Sequence, residues 1–141
     1  MSILYSAKAI SAKDRADVTS DSDGAFSVAL VSPTALGGTG GEGASPEQLF
    51  AAGYSACFLS TLRFVADEHR LPLDEQSSVA AAVGIRRRDD GKGFSLDVAL
   101  TVSLPDIPPN VAHGLIEQAH VVCPYSYLAR NGLDVRVSLA V

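Results

Sequence analysis

The segment from Ser45 to Phe58, SPEQLFAAGYSACF, begins with several helix-start signals at once. Ser45 suits the N-cap, Pro46 the first helical position, and Gln48 the third, where its amide closes a capping box. The helix is expected to run to about His69 and to stop before Pro72, because a proline disfavours helical geometry in the residue before it. Its middle is apolar on nearly every face, which predicts a buried central helix. Phe50, Gly53, Tyr54, Cys57, Thr61 and Phe64 share one face by the 3.6-residue period. Cys57 therefore stands among small and hydroxyl side chains, bracketed by aromatics.

Before this helix lies a glycine-rich loop, GGTGGEGA. Two β-prone runs precede the loop, Ile3 to Ile10 and Ala25 to Val31, separated by the polar KDRADVTSDSDG. After the helix, Val79 to Arg88 and Phe94 to Leu104 flank the turn signal DDGKG and read as an antiparallel pair. Beyond the breakers PDIPPN, Val111, Leu115, Ala119 and Val122 recur at helical spacing and predict an amphipathic helix that Pro124 ends or kinks. Leu133 to Val141 alternates as a last strand. The order ββαββαβ gives an α+β fold, helices against antiparallel sheet, in a single domain over residues 1–141.

With 141 residues, 47% hydrophobic and 19% charged, the chain has the composition of an ordinary globular protein. Its formal net charge of −5 argues against nucleic acid or an anionic membrane as main partner. No secretory signal and no membrane span are read in the sequence, so a cytoplasmic location is expected. In that compartment a cysteine pair is more often catalytic, redox-active or metal-binding than a permanent bridge. The chain has two cysteines, Cys57 and Cys123.

Two buried cysteines acting as small hydrophobes are the plain alternative. A buried apolar thiol is a poor nucleophile, because desolvation raises its pKa, and Cys57 sits too deep in its helix for the dipole to help. A reactive Cys57 needs a cation, and Arg15, Arg63, the run Arg86-Arg87-Arg88 and Arg130 are the candidates. Three other signals compete. GTGGEG, from Gly38 to Gly43, matches a dinucleotide-binding pattern, but a Ser-Pro cap follows it and Glu47 places negative charge where a phosphate would sit. A zinc site from Cys57, His69, His120 and Cys123 lacks a C-x-x-C anchor. RRRDDGKG reads as a solvated turn rather than a nucleic-acid patch.

The motifs LYSAKAISAKDR, LGGTGGEG, SPEQLFAAGYSACF and AHVVCPYS together resemble the organic hydroperoxide resistance branch of the OsmC/Ohr superfamily, over essentially the whole chain. CPYSYLARNG departs from the polar run usual after the second cysteine. The resemblance implies an OsmC/Ohr-like fold, antiparallel sheets around a central buried helix, in an intertwined homodimer. It also implies a cysteine-based peroxidase that reduces alkyl or lipid hydroperoxides to alcohols. By the same resemblance Cys57 is the peroxidatic cysteine, Cys123 the resolving one, Arg15 the activating arginine and Glu47 its carboxylate partner. Dihydrolipoamide or a lipoylated protein is the implied reductant, with no metal or other cofactor. Phe50, Tyr54, Phe58 and Phe64 are candidates to line a pocket for the substrate's alkyl part. A non-catalytic redox-sensing or ligand-binding member of the superfamily is the alternative. Glu47 precedes Cys57 by ten residues, about 15 Å along a helix axis. Either Arg15 spans that gap within one chain or the carboxylate comes from a second subunit.

Overall fold

A computed structural model describes residues 2–11, 17–20 (backbone course only) and 26–140. The chain forms two compact units, residues 1–49 and 50–141.

The first unit carries a three-stranded antiparallel sheet in the order β1 (Ala9–Ser11), β2 (Asp17–Ser20), β3 (Ser27–Ala29). Two expectations change here. The run from Ile3 to Ile10 pairs only at its end, with Ala9 opposite Ser20 and Ile10 opposite Thr19, and Ile3, Leu4 and Tyr5 are exposed. The polar connection, expected to be irregular, contributes β2, because Val18 and Thr19 are β-branched and find partners on both sides. The glycine-rich loop folds on itself. Gly38 N–H donates to Pro33 O and Gly40 N–H to Ser32 O, both at 3.0 Å, so these amides are committed within the chain. A Cβ on Gly38 would lie 2.2 Å from Ser32 O, which explains the glycine there.

Helix α1 (Pro46–Glu68) opens in the first unit and continues through the second. The capping box forms as expected. Gln48 N–H donates to Ser45 Oγ at 3.2 Å, and Ser45 N–H donates to Gln48 Oε1 at 2.8 Å. The helix ends in a Schellman turn, with Arg70 N–H on Asp67 O and Leu71 N–H on Ala66 O. Arg70 takes the left-handed position, at φ 56°, that glycine usually fills.

In the second unit β4 (Ser78–Arg87) and β5 (Phe94–Ser103) form an antiparallel hairpin, followed by α2 (Pro109–Val122) and α3 (Pro124–Asn131). Val79 opposite Val102 and Ala81 opposite Leu100 place one apolar sheet face toward the helices. The core is Tyr54, Phe58, Leu62, Val65 and Ala66 of α1 with Leu115 and Ala119 of α2 and Cys123 between α2 and α3.

Within the single chain helix α1 is buried along one stripe; Phe64 is 56% exposed, because the hairpin, α2 and α3 cover one side only. Three further expectations are corrected. Pro124 opens a third helix rather than merely ending the second, since its ring favours the first helical position. Leu133 to Ala140 forms no strand, and Leu133, Val135, Val137 and Leu139 are exposed. The alternation is there, but among the described residues of the single chain no neighbouring strand pairs with it. Finally, α1 is long and apolar enough by length and composition to cross a membrane, with mean hydropathy 1.4 over an 18-residue window. Residues such as Gly53, Ser55 and Thr61 interrupt the apolar run while leaving its average high. In this fold the helix supplies the core of the second unit.

Candidate functional site: a thiol pair beside an aromatic cluster

Cys57 lies in the fourth turn of α1, and Cys123 closes α2 and opens α3. The core packing that brings α3 against α1 sets their sulfurs 3.4 Å apart, both as free thiols. Cys57 is half-buried, whereas Cys123 is fully buried. Only the Cys57 side of the pair is open to a reagent.

Gly53 makes the approach possible. Tyr125 lies against it so closely that a Cβ at that position would stand 2.8 Å from Tyr125 Oη. Tyr125 stacks obliquely on Tyr54 at 5.7 Å and Phe50 at 6.0 Å, while Phe50 and Tyr54 meet edge-on at 6.1 Å. A compact aromatic cluster thus sits one to two turns before Cys57. Below it Tyr54 Oη is 2.8 Å from Ser126 Oγ, which is also 2.9 Å from His120 Nδ1. The Arg130 guanidinium donates to His120 O at 2.7 Å and ties α3 to the end of α2.

The two thiols differ electrostatically. Burial pushes the Cys57 thiol up; the Tyr125 backbone N–H opposes this and the neighbouring Cys123 thiol adds to it, so its pKa is raised above the ordinary 9.0. Burial also acts upward on Cys123. The Ser126 backbone N–H, the Cys57 thiol, the Ser126 hydroxyl and the Tyr125 backbone N–H outweigh it, and its pKa is lowered. Among the described residues, then, the two thiols are pushed in opposite directions, Cys57 up and Cys123 down.

Among the sequence candidates, Phe50, Tyr54 and Cys57 come together with Cys123. Phe58 is buried in the core, with its ring 6.4 Å from that of His120. Phe64 lies two turns beyond Cys57 and is exposed. Glu47 is half-buried in the first turn of α1. Arg15 lies outside the described residues. Of the other candidates, Arg88 pairs with Asp90, Arg86 Nε donates to Ser95 Oγ at 3.3 Å, Arg87 lies 5.5 Å over the Phe94 ring, and Arg63 lines a separate cavity with Asp67 and Asp74. None of the described arginines acts on the Cys57 thiol. His69 turns to Gln118 Oε1 at 2.8 Å and His120 to Ser126, so neither ring nitrogen bonded in this way faces the sulfurs. Behind the site a cavity of about 470 Å³ is lined by Tyr54, Phe58, Leu100, Ile116, His120 and Arg130 among others.

Sequence reasoning passed over Tyr125 and Ser126, and weighed His120 only as a metal ligand. The available signal was Pro124, which places the next two residues in the first turn of a helix beginning at Cys123.

Residues 38–138 match the family described as OsmC-like protein. An organic hydroperoxide resistance protein from Xanthomonas axonopodis pv. citri is 39% identical over 138 residues, 98% of this chain and 96% of that one. The chain belongs to the organic hydroperoxide resistance branch of the OsmC/Ohr superfamily. Solved structures in that branch superpose closely. An organic hydroperoxide resistance protein from Legionella pneumophila is 40% identical with a TM-score of 0.83, covering 99% of this chain and 100% of that one. The OhrB protein of Bacillus subtilis is 38% identical with a TM-score of 0.80, covering 95% and 97%. The Ohr fold, α+β with antiparallel sheet, is thereby established for this chain.

Proposed function

We propose that the protein is a thiol-dependent peroxidase that reduces organic hydroperoxides to alcohols. The observation that carries this reading is the pair of free sulfurs 3.4 Å apart with unequal exposure. The names of the relatives, organic hydroperoxide resistance proteins, support the substrate class. The Cys57 thiolate attacks the terminal peroxide oxygen and the O–O bond breaks. The alkoxide leaves and is protonated to an alcohol, and Cys57 becomes a sulfenic acid. Cys123 then attacks the sulfenic sulfur, forming the S–S bond and expelling the oxygen as water. Dihydrolipoamide, free or on a lipoylated protein, returns both sulfurs to thiols by exchange. Sulfur supplies both electrons, so the scheme needs no metal or organic cofactor.

Arg15 stabilises the Cys57 thiolate and the charge on the departing oxygen, and Glu47 orients the guanidinium through a bidentate pair. The raised pKa of Cys57 among the described groups makes such a cation necessary. Phe50 and Tyr54 contact the alkyl part of the substrate, with Phe58 and Phe64 extending the apolar lining. The protein acts in the cytoplasm as a single-domain subunit of an intertwined homodimer. In the second unit, the uncovered side of α1 and the exposed alternation from Leu133 to Leu139 support a second copy as their cover.

Single-cysteine variants test the assignment. After one equivalent of tert-butyl hydroperoxide, Cys123→Ser should show sulfenic or over-oxidised Cys57 by mass spectrometry, while Cys57→Ser should consume no peroxide. An unreactive Cys57 in the Cys123→Ser protein would reverse or refute the roles.

A further inference from the structure

Cys123 has no access to water, yet in the proposed cycle it must lose a proton when the disulfide forms and regain one when the disulfide is reduced. The groups around it are few. From α1 it meets the Cys57 sulfur, and from α3 the backbone N–H groups of Tyr125 and Ser126 and the Ser126 hydroxyl, which in turn meets the Tyr54 phenol and the His120 ring. The cavity that meets Tyr54 and His120 carries two charged side chains, Glu117 and Arg130, and β5 offers it only Val98, Leu100 and Val102.

The Ser126 hydroxyl links them. It is itself fully buried and has one proton and two lone pairs, against three neighbours: the Cys123 sulfur, Tyr54 Oη at 2.8 Å and His120 Nδ1 at 2.9 Å. When Cys123 is a thiolate, the hydroxyl proton points to the sulfur. Both lone pairs must then accept, one from the Tyr54 O–H and one from a His120 Nδ1–H. When Cys123 is protonated or in the disulfide, the hydroxyl is released to donate to His120 Nδ1 instead. The state of the sulfur therefore dictates which nitrogen of His120 holds its proton. His120 is exposed, and Arg130 holds its backbone carbonyl in place.

We propose that Ser126 and His120 form the proton relay of Cys123, connecting a fully buried sulfur to solvent in both halves of the cycle. During disulfide formation Cys123 attacks the Cys57 sulfenic sulfur, the S–O bond breaks, and the oxygen leaves as hydroxide, which takes a proton from solvent on the open Cys57 side to become water. The Cys123 proton moves to Ser126 as the hydroxyl proton moves to His120. During reduction a thiolate of the dithiol attacks Cys57, the exposed sulfur, and the S–S electron pair leaves on Cys123. The relay then returns a proton. His120 acts through Ser126 and touches no reacting atom.

The inference rests on the peroxidase reading for its biological setting but is tested without peroxide. The Cys57–Cys123 disulfide is formed with diamide in wild type, His120→Ala and Ser126→Ala, and its reduction by dithiothreitol is followed across pH. Both variants are expected to be slower by roughly tenfold, Ser126→Ala through loss of one hydrogen bond to a charged sulfur and His120→Ala through loss of the group that takes the proton from Ser126. His120→Ala should also flatten the pH dependence of the reduction, because the group that passes the proton to solvent is gone. Added imidazole should restore His120→Ala and leave Ser126→Ala slow. Should Ser126→Ala fail to fold, the exposed His120 position still decides. Superimposable pH profiles for wild type and His120→Ala, with no response to imidazole, would overturn the relay. A wild-type Cys57 that ignores hydroperoxides would instead sink the peroxidase reading and leave this result standing.

Discussion

Replacing Gly53 by alanine would put a methyl carbon 2.8 Å from Tyr125 Oη and 3.2 and 3.3 Å from ring atoms Cε2 and Cζ. The first contact is about 0.6 Å inside the 3.4 Å at which ordinary packing begins. On helix propensity alone the change is worth about 1 kcal/mol in favour of alanine. Overpacking a filled site costs about 1–3 kcal/mol. Tyr125 is held by Phe50 and Tyr54, so it cannot simply swing away, and the net effect should be a loss of up to about 2 kcal/mol. The functional effect is expected to be larger than that figure suggests. Tyr125 is two residues from Cys123, and its backbone N–H acts on both sulfurs. Displacing it moves the Cys123 sulfur, and placement errors near 1 Å cost about a hundredfold in rate. A shift of a few tenths of an ångström should slow disulfide formation about tenfold. Urea denaturation of the reduced protein and stopped-flow measurement of disulfide formation test the two parts. Adding Tyr125→Phe removes the closest contact and should recover most of the rate. A Gly53→Ala protein that is more stable by about 1 kcal/mol and forms its disulfide at the wild-type rate would refute the argument.

Arg15→Ala should leave one thiol titrating below the ordinary 9.0 and the other above it, because burial raises Cys57 while the donors at the start of α3 lower Cys123. Thiolate absorbance, with alkylation to assign each step, reads this; in the intact protein Cys57 should titrate lower than in Arg15→Ala, and an unchanged profile would remove Arg15 from the site. Val137→Asp with Leu139→Asp should convert the proposed dimer to monomer in sedimentation, since both side chains are exposed in the single chain. A wild-type protein that sediments as a stable monomer at micromolar concentration would refute the dimer. Arg70→Gly should raise stability by about 1 kcal/mol, because Arg70 occupies a left-handed position at φ 56°; unchanged thermal unfolding would count against that source of strain.

Signals local to a few residues were legible in the sequence. Ser45, Pro46 and Gln48 act on one another within a single turn, so the start of α1 could be read directly, as could the β4–β5 hairpin around Gly91 and Gly93. What depends on a distant partner was not. Leu133 to Leu139 has the alternation of a strand, but strand formation requires a neighbour that no local pattern supplies. The cysteine pair stood out as rare residues in unusual settings. The cluster that serves it did not, because Tyr54, His120 and Ser126 come from three helices and meet only through packing.

Cys123 ends one helix and begins the next, and the backbone on both sides of it is committed. Its N–H donates to Ala119 O at 2.8 Å, and its carbonyl accepts from Tyr127 N–H at 2.9 Å. A sulfur anchored in this way has only its side-chain torsion to spend. Closing 3.4 Å to a covalent separation of about 2.05 Å is a displacement that rotation of two side chains can carry, with neither helix unwinding. Oxidation at such a joint therefore requires no change in the course of either helix. A backbone that stays in place suits a site that turns over repeatedly better than a sensor whose output is a movement of helices.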